Sequence, residues 1–186
     1  MPANISFVGH VVSVSKDDEH RFSKAPVESI RLIKDFGVEG DIHAGVTVQH
    51  RSRVAQDPTQ PNLRQVHLIQ REFFDVALSH GFELHSGDLG ENILTSGVDL
   101  LELPQGARLH IGSEAVLYIT GLRNPCNQIN NFRNGLLKVS IGRGAGGEII
   151  RKVGIMTVVE RGGAVSAGDL IKASLPPLPH HRLERV

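Results

Sequence analysis

The chain has 186 residues, 40% of them hydrophobic and only 4% aromatic, which is enough for one domain with a sizeable core. Its 20 Lys and Arg cancel its 20 Asp and Glu, so composition gives no basis for binding nucleic acid or a membrane surface. A single cysteine excludes an internal disulfide framework and a multi-cysteine zinc site.

The N-terminal stretch MPANISFVGHVV lacks the basic segment and long apolar run of a secretion signal, and no run approaches the length of a membrane span. A cytoplasmic location is therefore expected. Ile5 to Val14 is rich in β-branched residues and reads as a strand. Lys16 to Ala25 is a polar connection, and Val27 to Ile33 a second strand with poor alternation. Gly37-Val38-Glu39-Gly40-Asp41 is a tight turn that leads to His43. Asp41 and His43 lie two apart, so on a strand they would share a face. By spacing alone they are equally a turn Asp beside an incidental His. Val46 to Leu63 is a polar surface loop that holds His50, Arg51 and Arg53.

Gln65 to Ile69 is a strand, and Gln70 to His80 a helix stopped by Gly81, with Phe73, Phe74, Ala77 and Leu78 on its core face. Gly87 to Asn92 is a glycine-punctuated loop. Its Glu91 and Asn92 either cap their own backbone or face a pocket. Ala107 to Ile111, a turn at Gly112-Ser113 and Ala115 to Thr120 form a hairpin. Asn124 suits a helix N-cap and Pro125 the first helical position, with apolar Ile129, Phe132, Leu136 and Leu137 following at helical spacing. Cys126 would then sit in the first turn, where the helix dipole and Arg123 favour a thiolate. The bland alternative is a small buried hydrophobe.

Gly142, Gly144 and Gly147 satisfy G-x-G-x-x-G, but only Glu148 to Val153 separates them from Gly154. That is too short for the helix of a dinucleotide site, so a flexible loop is expected. Val153 to Val159 is a strand, turned at Arg161-Gly162-Gly163, and Leu170-Ile171 lies on a last short strand. His67 reads as a packing or strand-surface residue, and the remaining histidines have no motif around them. Short strands, frequent turns and few helices predict a β-rich fold: a single, mostly antiparallel barrel over residues 1–174 with a few peripheral helices. Residues 175–186, rich in Pro and His, form a loosely tied tail.

Several motifs resemble, in order, those of the MOSC domain (the molybdenum cofactor sulfurase C-terminal domain): GVEGDIHAG at Gly37 to Gly45, RQVHLI at Arg64 to Ile69, GDLGENI at Gly87 to Ile93, LPQGARLHIG, TGLRNPC, and RKVGIMTVVERGGAVSAGDLI at Arg151 to Ile171. The resemblance implies a stand-alone MOSC β-barrel that binds molybdenum cofactor, with Cys126 as sulfur ligand to the metal. It implies that Asp41, His43, Glu91 and Asn92 position the cofactor or a small-molecule substrate, with Arg64 or Arg123 on the anionic phosphate end. Some relatives reduce N-hydroxylated and related N-oxygenated compounds, and this chain would need an external electron-donor protein to do so. A second reading is a sulfur carrier, with persulfide sulfur passed to Cys126 from a pyridoxal-phosphate-dependent cysteine desulfurase for delivery to a metal centre. A third is a Cys–His hydrolase with Cys126 as nucleophile and His43 as base.

Overall fold

A computed structural model describes residues 5–186, with side chains from residue 7, so residues 1–4 of the stretch read for a targeting signal lie outside it. The elements of the first half are β1 (Ile5–Lys16), β2 (Ala25–Val27), β3 (Ser29–Ile33), β4 (Gly37–Val38), α1 (Arg51–Val54), β5 (Val66–Gln70), α2 (Glu72–Ser79) and β6 (Ile93–Ser96). Those of the second are β7 (Arg108–Ile111), β8 (Ala115–Leu122), α3 (Gln128–Phe132), α4 (Leu136–Ser140), β9 (Ile141–Arg143), β10 (Ile149–Arg151), β11 (Ile155–Arg161), β12 (Gly163–Ser166) and β13 (Leu170–Ser174).

The expected β-rich barrel is borne out. The main sheet runs β13-β7-β8-β11-β5-β6-β1, and β13 pairs back onto β1, which closes it. Every pair is antiparallel except β5–β6. β1 makes closure possible because it is long enough to serve two neighbours: Phe7 to His10 pair with β13 and His10 to Val14 with β6. A bulge between Val11 and Ser13 lets it bend from one to the other. Val11, Leu68, Ile93, Leu109, Leu117, Ile119, Ile155 and Ile171 belong to the core cluster and are almost fully buried. Each contributes roughly 1.5–3 kcal/mol relative to exposure.

A second apolar cluster lies where α2, α3 and α4 meet β5 and β6, built from Ile69, Phe73, Phe74, Leu94, Ile129 and Leu136. This layer fixes the far side of the segment that carries Cys126. Leu78, expected on the core face of α2, is exposed instead; Phe73, Phe74 and Ala77 alone face inward.

Three further expectations are corrected by longer-range pairing. The strand read over Val27 to Ile33 divides at Glu28: β2 joins β1, while β3 leaves to pair with β12 and β4 in a small sheet. The glycine-rich loop at Gly142 to Gly147 belongs to a β9–β10 hairpin. Residues 175–186 are tied down, not loose. Leu122 N–H donates to Glu184 O (2.7 Å), Gln105 N–H to His181 O (2.9 Å), and Leu183 packs against the barrel core.

Gly154 opens β11 with φ +85°, and a Cβ there would collide with the Leu68 carbonyl carried by β5. Gly154→Ala is expected to lower stability by about 2 kcal/mol or more, from combined strain and overlap. The readout is a lower urea midpoint with the slope unchanged.

Candidate functional site

Asp41 organises one end of the barrel. Asp41 and His43 lie in a turn, not on the strand that would give them a common face. The Asp41 carboxylate instead folds the turn around itself, with Oδ1 accepting from His43 N–H at 2.9 Å. The Lys24 ammonium donates to both oxygens, at 3.0 and 2.8 Å. Asn92 Nδ2 (3.0 Å) and Asp17 N–H (3.3 Å) complete the shell on Oδ2. Burial pushes the Asp41 carboxyl up, but hydrogen bonds from His43 and Lys24 outweigh it and hold the group well below the usual carboxylate range. Burial likewise pulls the Lys24 ammonium below its ordinary value, and Asp41 offsets part of that.

Asn92 extends the knot. Its Oδ1 accepts from His67 N–H (3.2 Å) on β5, and its Nδ2 also donates to Ser15 O (3.2 Å) on β1. Asn62 performs the same task for the polar loop, donating to His43 O (2.9 Å) and Gly45 O (3.0 Å) and accepting from Arg64 N–H (3.1 Å). The loop read as plain surface is thereby folded inward and brings His50, Arg51 and Arg53 over the barrel end.

Above this knot is a cavity of about 630 Å³. Six of its lining side chains are Lys or Arg, four are His, and none of the lining residues is Asp or Glu. Since the whole chain is neutral, this concentration of positive charge is local. His43 stacks on His50 (4.4 Å between centroids) and meets His20 edge-on (5.8 Å). Burial lowers the His50 pKa to about 2 and drives His67 well below the usual imidazole range, so both are neutral at pH 7. His67 Nε2 lies 2.8 Å from Val153 O. Arg123 donates from Nη1 to Leu89 O (2.8 Å) and lies over the Phe22 ring. Burial, reinforced by Arg53 and Arg123, lowers Arg64 to about 10. Arg64 and Arg123 form no ion pair among the described residues, although the Glu91 carboxylate offsets part of the cost of burying Arg123, and both line the cavity with Cys126.

Of the residues singled out from sequence, His43, Arg64, Asn92, Arg123 and Cys126 line this one cavity. Asp41 lies beneath it. Glu91 does not reach it: its carboxylate turns back to accept from Gly87 N–H and Leu89 N–H (3.2 Å) and holds its own loop. Burial raises Glu91 to about 7.

Cys126 is half-buried in the cavity wall, but not in a helical first turn. Arg123 N–H still donates to Gly154 O (3.1 Å), which keeps the chain extended beyond β8 and postpones the helix to Gln128. The apolar run Ile129 to Leu137 then splits into α3 and α4 because Gly135 adopts φ +92°. The expected helix first turn around Cys126 is thus not formed, and Cys126 shares its cavity wall with Arg64 and Arg123. The Cys126 sulfur donates to Gln128 Oε1 at 3.5 Å, with no hydrogen bond to an imidazole among the described residues, so the pair a Cys–His hydrolase needs is not formed. Nor, among the described residues, is any group of three His, Cys, Asp or Glu placed to hold a bare metal ion.

The model of one family, the MOSC domain, matches residues 39–172. The chain belongs to the MOSC domain family. YuaD of Bacillus subtilis (strain 168), provisionally named for metal-sulfur cluster biosynthesis, is 32% identical over 146 residues, 73% of this chain and 75% of YuaD. The crystal structure of Bacillus subtilis YUAD aligns with a TM-score of 0.75 at 24% identity, covering 91% of this chain and 97% of the other. That of YiiM from Escherichia coli gives 0.62 at 19% identity, covering 95% and 74%. Both share the MOSC barrel described above. The family match begins after His20 and Lys24, although both line the MOSC cavity. Neither sits in a motif, which is why sequence reading passed over them. Only the contact between Lys24 and Asp41 reveals the role of Lys24.

Asp41→Asn leaves the Lys24 ammonium buried without its counter-charge, and is expected to cost about 3–5 kcal/mol at pH 7. Because the folded Asp41 pKa is depressed, its contribution is present above the unfolded value of about 3.9 and is lost as pH falls through the folded pKa. Chemical denaturation from pH 7 to pH 2 should therefore show the gap between wild type and Asp41→Asn narrowing below about pH 4.

Proposed function

We propose that the cavity binds the molybdenum cofactor, with Cys126 supplying a sulfur ligand to the metal. The observation that carries this reading is a single thiol in the wall of an open, strongly cationic cavity that no Asp or Glu lines. The residues present fit the group. Among the described residues Arg64 Nε and His50 Nδ1 are buried atoms without a hydrogen-bond partner, and the half-buried Arg64 and Arg123 form no ion pair. Such groups are costly unless an anion meets them. Arg64 and Arg123 would hold the phosphate of the pterin, His43 would meet its ring edges, and Asn92, whose amide is bonded to Asp41, Ser15 and His67, would hold the cavity floor beneath them. Asp41 fixes His43 from below. Cys126 is a soft donor suited to molybdenum. When bound, the cofactor supplies two-electron oxygen-atom transfer, which fits reduction of N-hydroxylated or related N-oxygenated compounds with electrons from a donor protein. No helix among the described residues is long and apolar enough to cross a membrane.

A second reading, a sulfur carrier, is favoured by the name of YuaD and by the partial exposure of Cys126. Cys126 would accept persulfide sulfur from a pyridoxal-phosphate-dependent desulfurase and pass it to a metal centre.

Protein made in a molybdenum-replete, cofactor-competent host should carry close to one molybdenum per chain by elemental analysis. Cys126→Ala should abolish that occupancy, and Arg64→Ala should lower it about tenfold or more through loss of charge-assisted hydrogen bonds. His180→Ala, an exposed change outside the cavity, should leave it intact. Metal-free wild-type protein from such a host, bearing persulfide on Cys126, would decide for the second reading.

A further inference from the structure

The cavity contains more than a phosphate site needs, because the anion-binding groups and the thiol belong to one wall. Arg64, Arg123 and Cys126 line the same cavity. Among the described residues neither arginine forms an ion pair, although the Glu91 carboxylate acts on Arg123 at longer range, whereas Lys24 is neutralised by Asp41 and Arg21 pairs with Asp17 and Glu19. Among the described residues Arg64 Nε and His50 Nδ1 are buried atoms without a hydrogen-bond partner. A small dianion drawn into this space would be brought against the Cys126 sulfur. For a phosphate or sulfate that proximity has no chemical consequence. For an oxyanion that carries a sulfane sulfur, it aligns a nucleophile with an electrophile.

We propose that Cys126 takes sulfur directly from a small sulfur oxyanion of the thiosulfate class, held between Arg64 and Arg123. This inference rests on the sulfur-carrier reading of the site and names its donor. The Cys126 thiolate attacks the outer sulfur of thiosulfate. A bond forms between Sγ and that sulfur, the bond from it to the sulfonate sulfur breaks, and the electron pair leaves with sulfite. Thiolate plus the thiosulfate dianion become persulfide anion plus the sulfite dianion. Three negative charges stand on each side, and no outside oxidant or reductant is consumed. The guanidiniums act where charge accumulates, on the sulfonate oxygens as they become sulfite.

The test incubates reduced, metal-free protein with thiosulfate and follows sulfite release, with intact-mass analysis of the protein and cyanide trapping of transferred sulfur as thiocyanate. The expected result is one sulfite released and one sulfur atom gained per chain, localised to Cys126 and absent in Cys126→Ser. Sulfate, of the same charge but without sulfane sulfur, should slow loading competitively in the wild type. Arg64→Gln should slow it about tenfold or more. Arg151→Gln, outside the cavity, should load at the wild-type rate. A parallel arm supplies a cysteine desulfurase with cysteine. Loading there but none from thiosulfate overturns this proposal and leaves the sulfur-carrier reading standing. Loading in neither arm overturns both. Loading from thiosulfate that sulfate does not slow, or that folded Arg64→Gln matches, overturns the anion-cradle geometry.

Discussion

The buried carboxylate of Asp41 is the constraint on which the site depends. Its four donors come from β1's end, the connection before β2, its own turn, and the loop before β6. None of these segments is adjacent to all the others in the chain. Joining them removes several polar groups from water at once, and each would be expensive to bury alone. The same knot fixes which way His43 faces, since Asp41 Oδ1 lies 3.5 Å from His43 Nδ1. The barrel end is held by satisfied polar contacts below the cavity, while the cavity wall above holds groups left unsatisfied. That division separates what keeps the fold from what awaits a ligand.

The Cys126 segment is positioned by apolar packing on one side and strand pairing on the other. Ile129 and Leu136 are fully buried against β5, β6 and α2, so α3 and α4 cannot slide. On the other side β8 ends at Leu122, whose N–H and C=O are both taken by residues 184 and 186. Gly121 leaves no room for a side chain there, because a Cβ would lie 2.5 Å from Glu184 O. The thiol is therefore displayed from a short extended link between two anchored ends. Its surroundings are cationic because the long polar loop, stapled by Asn62, folds its arginines over the same opening.

Much of this was legible in the residues. The hairpin of β7 and β8, the helix stopped at Gly81 and the run of short strands follow from local periodicity and turn chemistry. Five of the seven singled-out side chains meet in one cavity because each sits beside a turn at the barrel end. Glu91 belongs to the same short motif as Asn92, yet the two side chains part. Asn92 crosses to Asp41, while Glu91 closes on the backbone of Gly87 and Leu89. Motif membership cannot distinguish these, because adjacent side chains in a loop point in different directions. His67, read as either a packing or a strand-surface residue, is buried and also reaches the cavity wall.

By itself the sequence determined the β-rich class, the family, and the presence of a lone thiol near glycine-rich and basic motifs. Those properties rest on composition, period and spacing, which act over a few residues. Tertiary structure alone decided that β5 and β6 run parallel, that the last residues brace β8, and that the helix begins after Cys126 and not at it. It alone placed Lys24 against Asp41 and left Arg64 and Arg123 without an ion pair among the described residues. Each of these depends on which distant strand supplies a hydrogen-bond partner or counter-charge, and local sequence carries no record of that choice until the barrel has closed.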